Sequence, residues 1–223
     1  HNAGVPTTKE RKLVMQIKHA MFAVATCAAT TLSIPAFADD AAAGEASFQI
    51  CKTCHGQFGE GNRALNAPAI AGLQGWYLER QLNNYKSGVR GADAKDVYGS
   101  QMRPMSMTLA DDWAVKNVVA HINSLPTPSP KATIGGDAAK GKALYVVCST
   151  CHGRNAEGML PLNAPALNTQ NDWYLVRQIK AFKSGIRGKH PKDIYGQQMV
   201  PMSMTLGDDE AIKNVVAYIT SLK

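Results

Sequence analysis

Shifted by 97 positions, the sequence overlays itself. Residues 40–125 align without a gap on residues 137–222, and about 50 of the 86 pairs are identical. "APAI" from Ala67 meets "APAL" from Ala164, "WYLERQL" from Trp76 meets "WYLVRQI" from Trp173, and "YGSQMRPMSMTL" from Tyr98 meets "YGQQMVPMSMTL" from Tyr195. This is a tandem duplication, so the chain is one unit written twice. Between the copies runs "PTPSPKATIGG", residues 126–136, in which Pro and Ser alternate before two glycines. Such a stretch is an extended, semi-stiff linker. The boundaries expected are therefore one domain over residues 39–125, the linker over 126–136 and a second domain over 137–223.

Within each unit the apolar spacing is helical and nothing alternates like a strand. Three helical segments are expected in the first copy: "DAAAGEASFQICKTCH", "WYLERQLNNYKSG" and "DDWAVKNVVAHINSL". In the third, Val115, Val118, Val119 and Ile122 fall on one face. Asp111 and Asp112 stand where carboxylates suit the free N–H groups of a helix start. In the second, Trp76, Leu78, Leu82 and Tyr85 are the packing residues and Gly88 is the stop. Pro104 and Pro201 argue against a continuous helix through the Met-rich segments. The fold class expected is all-α, with long loops.

Residues 1–38 read differently. From Met15 comes a basic start at Lys18 and His19, an apolar run, and "AFA" before Asp39. This is the pattern of a secretory signal cleaved after about Ala38, with residues 1–14 upstream of it. The apolar run is short and interrupted for a membrane span, so no transmembrane anchor is expected in the mature chain. The whole sequence has a formal charge of +7, and residues 39–223 retain 20 Lys+Arg against 16 Asp+Glu, or +4. With no basic run left, nucleic-acid binding is set aside.

Of five cysteines, Cys27 lies in the apolar signal. The other four form two Cys-x-x-Cys-His phrases, Cys51-Lys52-Thr53-Cys54-His55 and Cys148-Ser149-Thr150-Cys151-His152. Cysteines three apart on a helical turn share a face, and with the adjacent His this spacing is the signature of c-type haem attachment. Three other readings compete. A thioredoxin-like pair needs a βαβ unit. A zinc site would draw on all four cysteines, and an exported chain could use them as disulfides. None of these explains why a His follows both pairs inside a complete repeat. Two covalently bound haem c groups are therefore expected, with His55 and His152 as proximal iron ligands. A covalent group also suits units of about 86 residues, small for an unaided core. Each unit offers three methionines for the other face of the iron: Met102, Met105 and Met107, then Met199, Met202 and Met204. A thioether ligand raises the reduction potential, although most such methionines serve as packing.

On the two Cys-x-x-Cys-His-Gly phrases, "YLERQLNNYKSGVRG" with its copy, and the Met-containing segment before the last helix, the chain from about Asp40 to Lys223 resembles the class I c-type cytochromes. In two-unit form it resembles the di-haem cytochrome c4 family. The resemblance implies two tandem lobes of three to five helices, each wrapping one haem, facing each other across a pseudo-twofold interface. In that family the ligand Met commonly stands eight residues before the small residue of a Leu-Ser-Asp helix start. The corresponding starts here are Leu109-Ala110-Asp111 and Leu206-Gly207-Asp208, which points to Met102 and Met199, ahead of Met105 and Met202. Arg90 and Arg187 either pair with a haem propionate, which suits a guanidinium fork, or lie exposed at a helix end.

The resemblance implies a periplasmic carrier of single electrons. It would run from a quinol-oxidising complex or dehydrogenase to a terminal oxidase or reductase, with redox proteins as its partners. Both copies are expected to do the same chemistry, at potentials separated by changes such as Gln57/Arg154 and Phe58/Asn155. The alternatives are a di-haem enzyme, such as a peroxidase or sulfur-compound dehydrogenase, or a fixed electron-transfer subunit of a larger complex. An enzyme needs an open axial position and an acid–base residue beside it. No Glu, His or Cys peculiar to one copy is placed for that role, so no catalytic residue is expected.

Overall fold

The computed structural model describes residues 40–222; the expected export signal and its cleavage point lie outside them. The first repeat consists of α1 (Ala41–His55), α2 (Gly75–Lys86), α3 (Val97–Met107) and α4 (Asp112–Ser124). The second consists of α5 (Ala138–His152), a 3₁₀ turn (Leu160–Leu162), α6 (Asp172–Lys183), α7 (Ile194–Met204) and α8 (Asp209–Ser221). Among the described residues the only β-type pairings are two isolated bridges, Asn62 with Ala67 and Met159 with Ala164. No helix among them is long and apolar enough to cross a membrane.

Aspartates start the long helices. Asp40 accepts from the amides of Ala42 and Ala43, and Asp111 from that of Ala114; Asp137 and Asp208 repeat the pattern. Each satisfies donors that a helix start leaves free. Each repeat is then built on one crossing, α1 against α4 and α5 against α8. At the first crossing a Cβ on Gly44 would stand 1.9 Å from the Asn117 carbonyl oxygen, and Gly141 meets Asn214 at the same 1.9 Å. Only glycine lets the backbones come this close. The asparagine side chains complete the joint: Asn117 Oδ1 accepts from the Asp40 amide (2.9 Å) and Asn214 Oδ1 from that of Asp137 (2.7 Å).

The apolar face expected on the last helix is the core. Val115, Val118, Val119 and Ile122 are all buried, together with Phe48, Leu78 and Leu109. Ile212, Val215, Val216 and Ile219 pack likewise with Tyr145, Leu175 and Leu206. His121, which has Tyr218 in the other copy, stacks on Phe48 with ring centroids 5.0 Å apart and so packs rather than ligates. On α2, Leu78 and Tyr85 are buried, Leu82 packs partly against the core, and Gly88 follows the helix at φ 75°.

One expectation fails. The Met-rich segments are helices, α3 and α7, with Pro104 and Pro201 inside them. Pro104 deprives the Ser100 carbonyl of its usual donor. Ser100 and Pro104 both lie on the exposed face, where water can take the donor's place. The helix is secured at its start by Asp96, which accepts from the Gly99 amide at 2.9 Å, and along its length by α2. Each repeat therefore has four helices rather than the three read from periodicity.

The linker is fastened at its far end. The buried Asp172 carboxylate accepts from the amide and hydroxyl of Thr133 and from the amide of Ile134 (2.9 Å).

Candidate functional site

Each Cys-x-x-Cys-His phrase occupies the last turn of a helix that a glycine ends. Gly56 (φ 89°) and Gly153 (φ 82°) turn the chain out of α1 and α5. The chain then folds back, so that a proline carbonyl thirteen residues on reaches the histidine. His55 Nδ1 lies 2.7 Å from Pro68 O, and His152 Nδ1 lies 2.8 Å from Pro165 O. A carbonyl can only accept, so Nδ1 carries the proton and Nε2 keeps its lone pair. Both rings are buried, and burial lowers their pKa while the proline bond opposes it. A neutral, oriented imidazole with a free Nε2 is what an iron requires of an axial ligand.

A largely apolar cleft opens beside each ring. The first is lined by Cys51, Cys54, His55, Met102 and Met105; the second by Cys148, Cys151, His152, Met199 and Met202. Met107 and Met204 line neither cleft and are 53% and 54% exposed. Of the remaining pair in each repeat, Met102 and Met199 are half-buried, whereas Met105 and Met202 are 43% and 41% exposed.

The competing uses of the cysteines are absent from this geometry. None of the four forms a disulfide. Among the described residues no three His, Cys, Asp or Glu side chains gather as a metal cluster, so the two pairs do not share a zinc site. Burial pushes the Cys51 thiol up to about 11, away from the low values of reactive dithiols.

Arg90 and Arg187 lie in the same clefts, but at the contact between the repeats rather than exposed at helix ends. Arg90 bonds Gln81 Oε1 (2.8 Å) in its own repeat, and Tyr174 OH (2.7 Å) and Gln178 Oε1 (3.0 Å) in the other. Arg187 mirrors it with Gln178 (2.8 Å), Tyr77 (3.0 Å) and Gln81 (3.0 Å). Burial works against the Arg90 charge, yet the neighbouring Tyr174, Tyr85 and Tyr77 phenols outweigh it and the guanidinium is held firmly protonated. The ion pairs found among the described residues involve only lysines. Both Arg90 Nε and Arg187 Nε are buried without any partner. A buried cation with an orphaned N–H calls for an anion. The carboxylates of a haem would supply it, so the residues present fit a haem in each cleft.

Several residues of this contact carry no motif and escaped the reading by periodicity. Arg80 donates twice to Asn163, at its Oδ1 (2.8 Å) and its carbonyl (3.0 Å). Arg177 does the same to Asn66 (3.0 and 2.8 Å). Asn66 and Asn163 take left-handed backbone, φ 56° and 54°, which asparagine tolerates better than most. Their signal was available: Asn66, Tyr77, Arg80 and Gln81 are identical in both copies, and Arg80 and Gln81 are polar residues interrupting the packing pattern of α2. The pairings are reciprocal, as a twofold-related contact demands.

The cytochrome c family pattern matches residues 41–126 and again 138–223. A protein named thiosulfate dehydrogenase electron acceptor, from Thiomonas intermedia (strain K12), is 32% identical over 88% of this chain and 89% of its own length. The cytochrome c4 of Pseudomonas aeruginosa (strain PAO1) is 31% identical over 67% of this chain and 74% of its own. The crystal structure of reduced recombinant cytochrome c4 from Pseudomonas stutzeri superposes with a TM-score of 0.63 at 25% identity, covering 83% of this chain and all of that one. The chain belongs to the cytochrome c family, and its two domains, each with one covalently bound haem c, make it a di-haem electron carrier of the cytochrome c4 kind rather than an enzyme.

Proposed function

We propose that this chain is a periplasmic carrier in which Cys51 and Cys54 hold one haem and Cys148 and Cys151 the other. His55 with Met102, and His152 with Met199, are the axial ligands, and Arg90 and Arg187 face the propionates. When bound, the haem supplies a one-electron iron couple. The protein's part is to keep that couple closed, dry and fixed in place. The pinned histidines and a methionine from the same cleft would hold the iron, and the soft methionine sulfur would favour its reduced state. The buried guanidiniums offset propionate charge that would otherwise be stranded in an apolar wall. The observation that carries the reading is the pairing, in both clefts, of a Pro-bonded buried histidine with a half-buried methionine.

Four propionates against the +4 of residues 39–223 leave the loaded protein close to neutral. Docking therefore rests on the apolar side chains around the clefts more than on steering by charge. The relative named as a thiosulfate dehydrogenase electron acceptor favours a sulfur-compound dehydrogenase as one electron donor, beside a quinol-oxidising complex. A terminal oxidase or reductase is the acceptor. An optical redox titration of the loaded protein, with a pyridine haemochrome count, tests the assignment. Two haems per chain, both at positive potential and with the weak methionine-to-iron charge-transfer band when oxidised, are expected. One haem, or a second at strongly negative potential without that band, refutes it.

A further inference from the structure

Pro68 holds the His55 ring, and the segment that carries Pro68 is held from the other repeat. Residues 66–69 lie between helices, and their bonds within the first repeat are those of the Asn62–Ala67 bridge and a turn at Asn66. On one side of Pro68, Arg177 grips the side chain and carbonyl of Asn66 (3.0 and 2.8 Å). On the other, Asn171 Oδ1 accepts from the Ala69 amide (2.7 Å) and Gln170 Nε2 donates to the Ala69 carbonyl (2.9 Å). The second repeat is served in the same way: Arg80 grips Asn163, and Gln74 Oε1 accepts from the Ala166 amide (2.9 Å) on the far side of Pro165.

We infer that each repeat positions the axial histidine of the other. Gln170, Asn171 and Arg177 keep the Pro68 carbonyl on His55 Nδ1, and Gln74 and Arg80 keep the Pro165 carbonyl on His152 Nδ1. The inference rests on the reading of these histidines as iron ligands. An acceptor held on Nδ1–H raises the basicity of Nε2 and so stabilises the more charged, oxidised iron. The two grips are unequal. Gln170 is buried and bonded to Ala69 O, but its counterpart in the first repeat is Leu73, which has no group to donate. The segment around Pro68 thus takes a bond that the segment around Pro165 lacks, while Gln74 Nε2 donates instead to Glu157 O (2.8 Å), outside that segment. One sequence difference between the two histidine supports, Leu73 against Gln170, therefore lies in the repeat opposite the histidine it affects.

The test uses the haem-loaded full chain and two variants, Q170L/N171A and Q74A, none of which removes a charge. Two readouts are followed for each haem separately: exchange of the histidine Nδ1–H with solvent in the reduced protein by NMR, and the midpoint potential. Q170L/N171A is expected to speed exchange at His55 about tenfold, the scale of one hydrogen bond, with His152 unchanged. The potential of the first haem should rise by up to a tenfold change in its one-electron equilibrium, 59 mV. Q74A is expected to act on His152 and the second haem. Equal changes at both histidines, changes confined to the variant's own repeat, or no change with both haems in place overturns the inference. If the double variant does not fold, R177K, which keeps the charge and loses the fork, must give the same His55-selective change. A parent protein with fewer than two haems, or with other residues on the iron, would instead defeat the ligand assignment.

Discussion

At the scale of single residues the methionines and the glycines carry the sharpest consequences. Met102 and Met105 both line the first cleft, so sequence spacing and geometry favour the same residue on independent grounds, a family register and a difference in exposure. Met102→Leu should abolish the charge-transfer band of one haem. It should also lower that haem's potential by on the order of 100 mV, a fraction of the ~0.8 V that axial ligands span, while Met105→Leu leaves both unchanged; spectroelectrochemistry distinguishes them. Gly44 was invisible to periodicity, because its importance lies in what it meets, the Asn117 carbonyl, and not in any pattern of its own helix. Gly44→Ala should force α1 from α4 and cost about 1–3 kcal/mol, the usual penalty for overpacking, measured by denaturant unfolding of the loaded protein.

At the scale of elements, the helix that the prolines disguised and the linker read as semi-stiff were both decided by their surroundings. Pro104 and Pro201 are unfavourable locally, yet α3 and α7 form because the face carrying the lost bond meets solvent and the opposite face packs on a neighbouring helix. The linker's composition says extended; residues 126–136 form no helix or strand, and Asp172 fastens their far end. Burial alone would raise this carboxyl's pKa. The bonds from Thr133, Ile134 and the Trp173 amide (2.6 Å) more than offset that and hold it below the ordinary carboxylate range. A folded value below the unfolded one of about 3.9 means the stabilisation is fully present above about pH 4. It is lost as pH falls through the folded value. Asp172→Asn should therefore cost about 1–3 kcal/mol near neutrality, and urea midpoints of variant and parent should converge in acid.

At the scale of the whole molecule, the contact between repeats is where the function is assembled. Two guanidiniums, the buried Arg90 and the half-buried Arg187, cross it in opposite directions, and two more, Arg80 and Arg177, fork onto left-handed asparagines on the far side. Hydrogen bonds to charged groups contribute about 1.5–3 kcal/mol each, so R80A/R177A should weaken the joint by several kcal/mol. The parent is expected to melt in one calorimetric transition and the double variant in two, one for each repeat. A single unchanged transition in the variant would mean that the linker and the Arg90–Arg187 pair suffice to couple the halves.

What the sequence determined alone is what depends on short separations. Two cysteines and a histidine within one turn define a haem attachment wherever the chain goes. A 3.6-residue period marks the buried face of the last helix, and the 97-residue offset requires two like lobes. Which carbonyl pins each histidine and which side chains Arg90 and Arg187 bond across the contact were decided only by the tertiary structure. The cross-repeat arginine partners lie from 83 to 111 residues away, and no local periodicity records an acceptor that folding brings from the other copy.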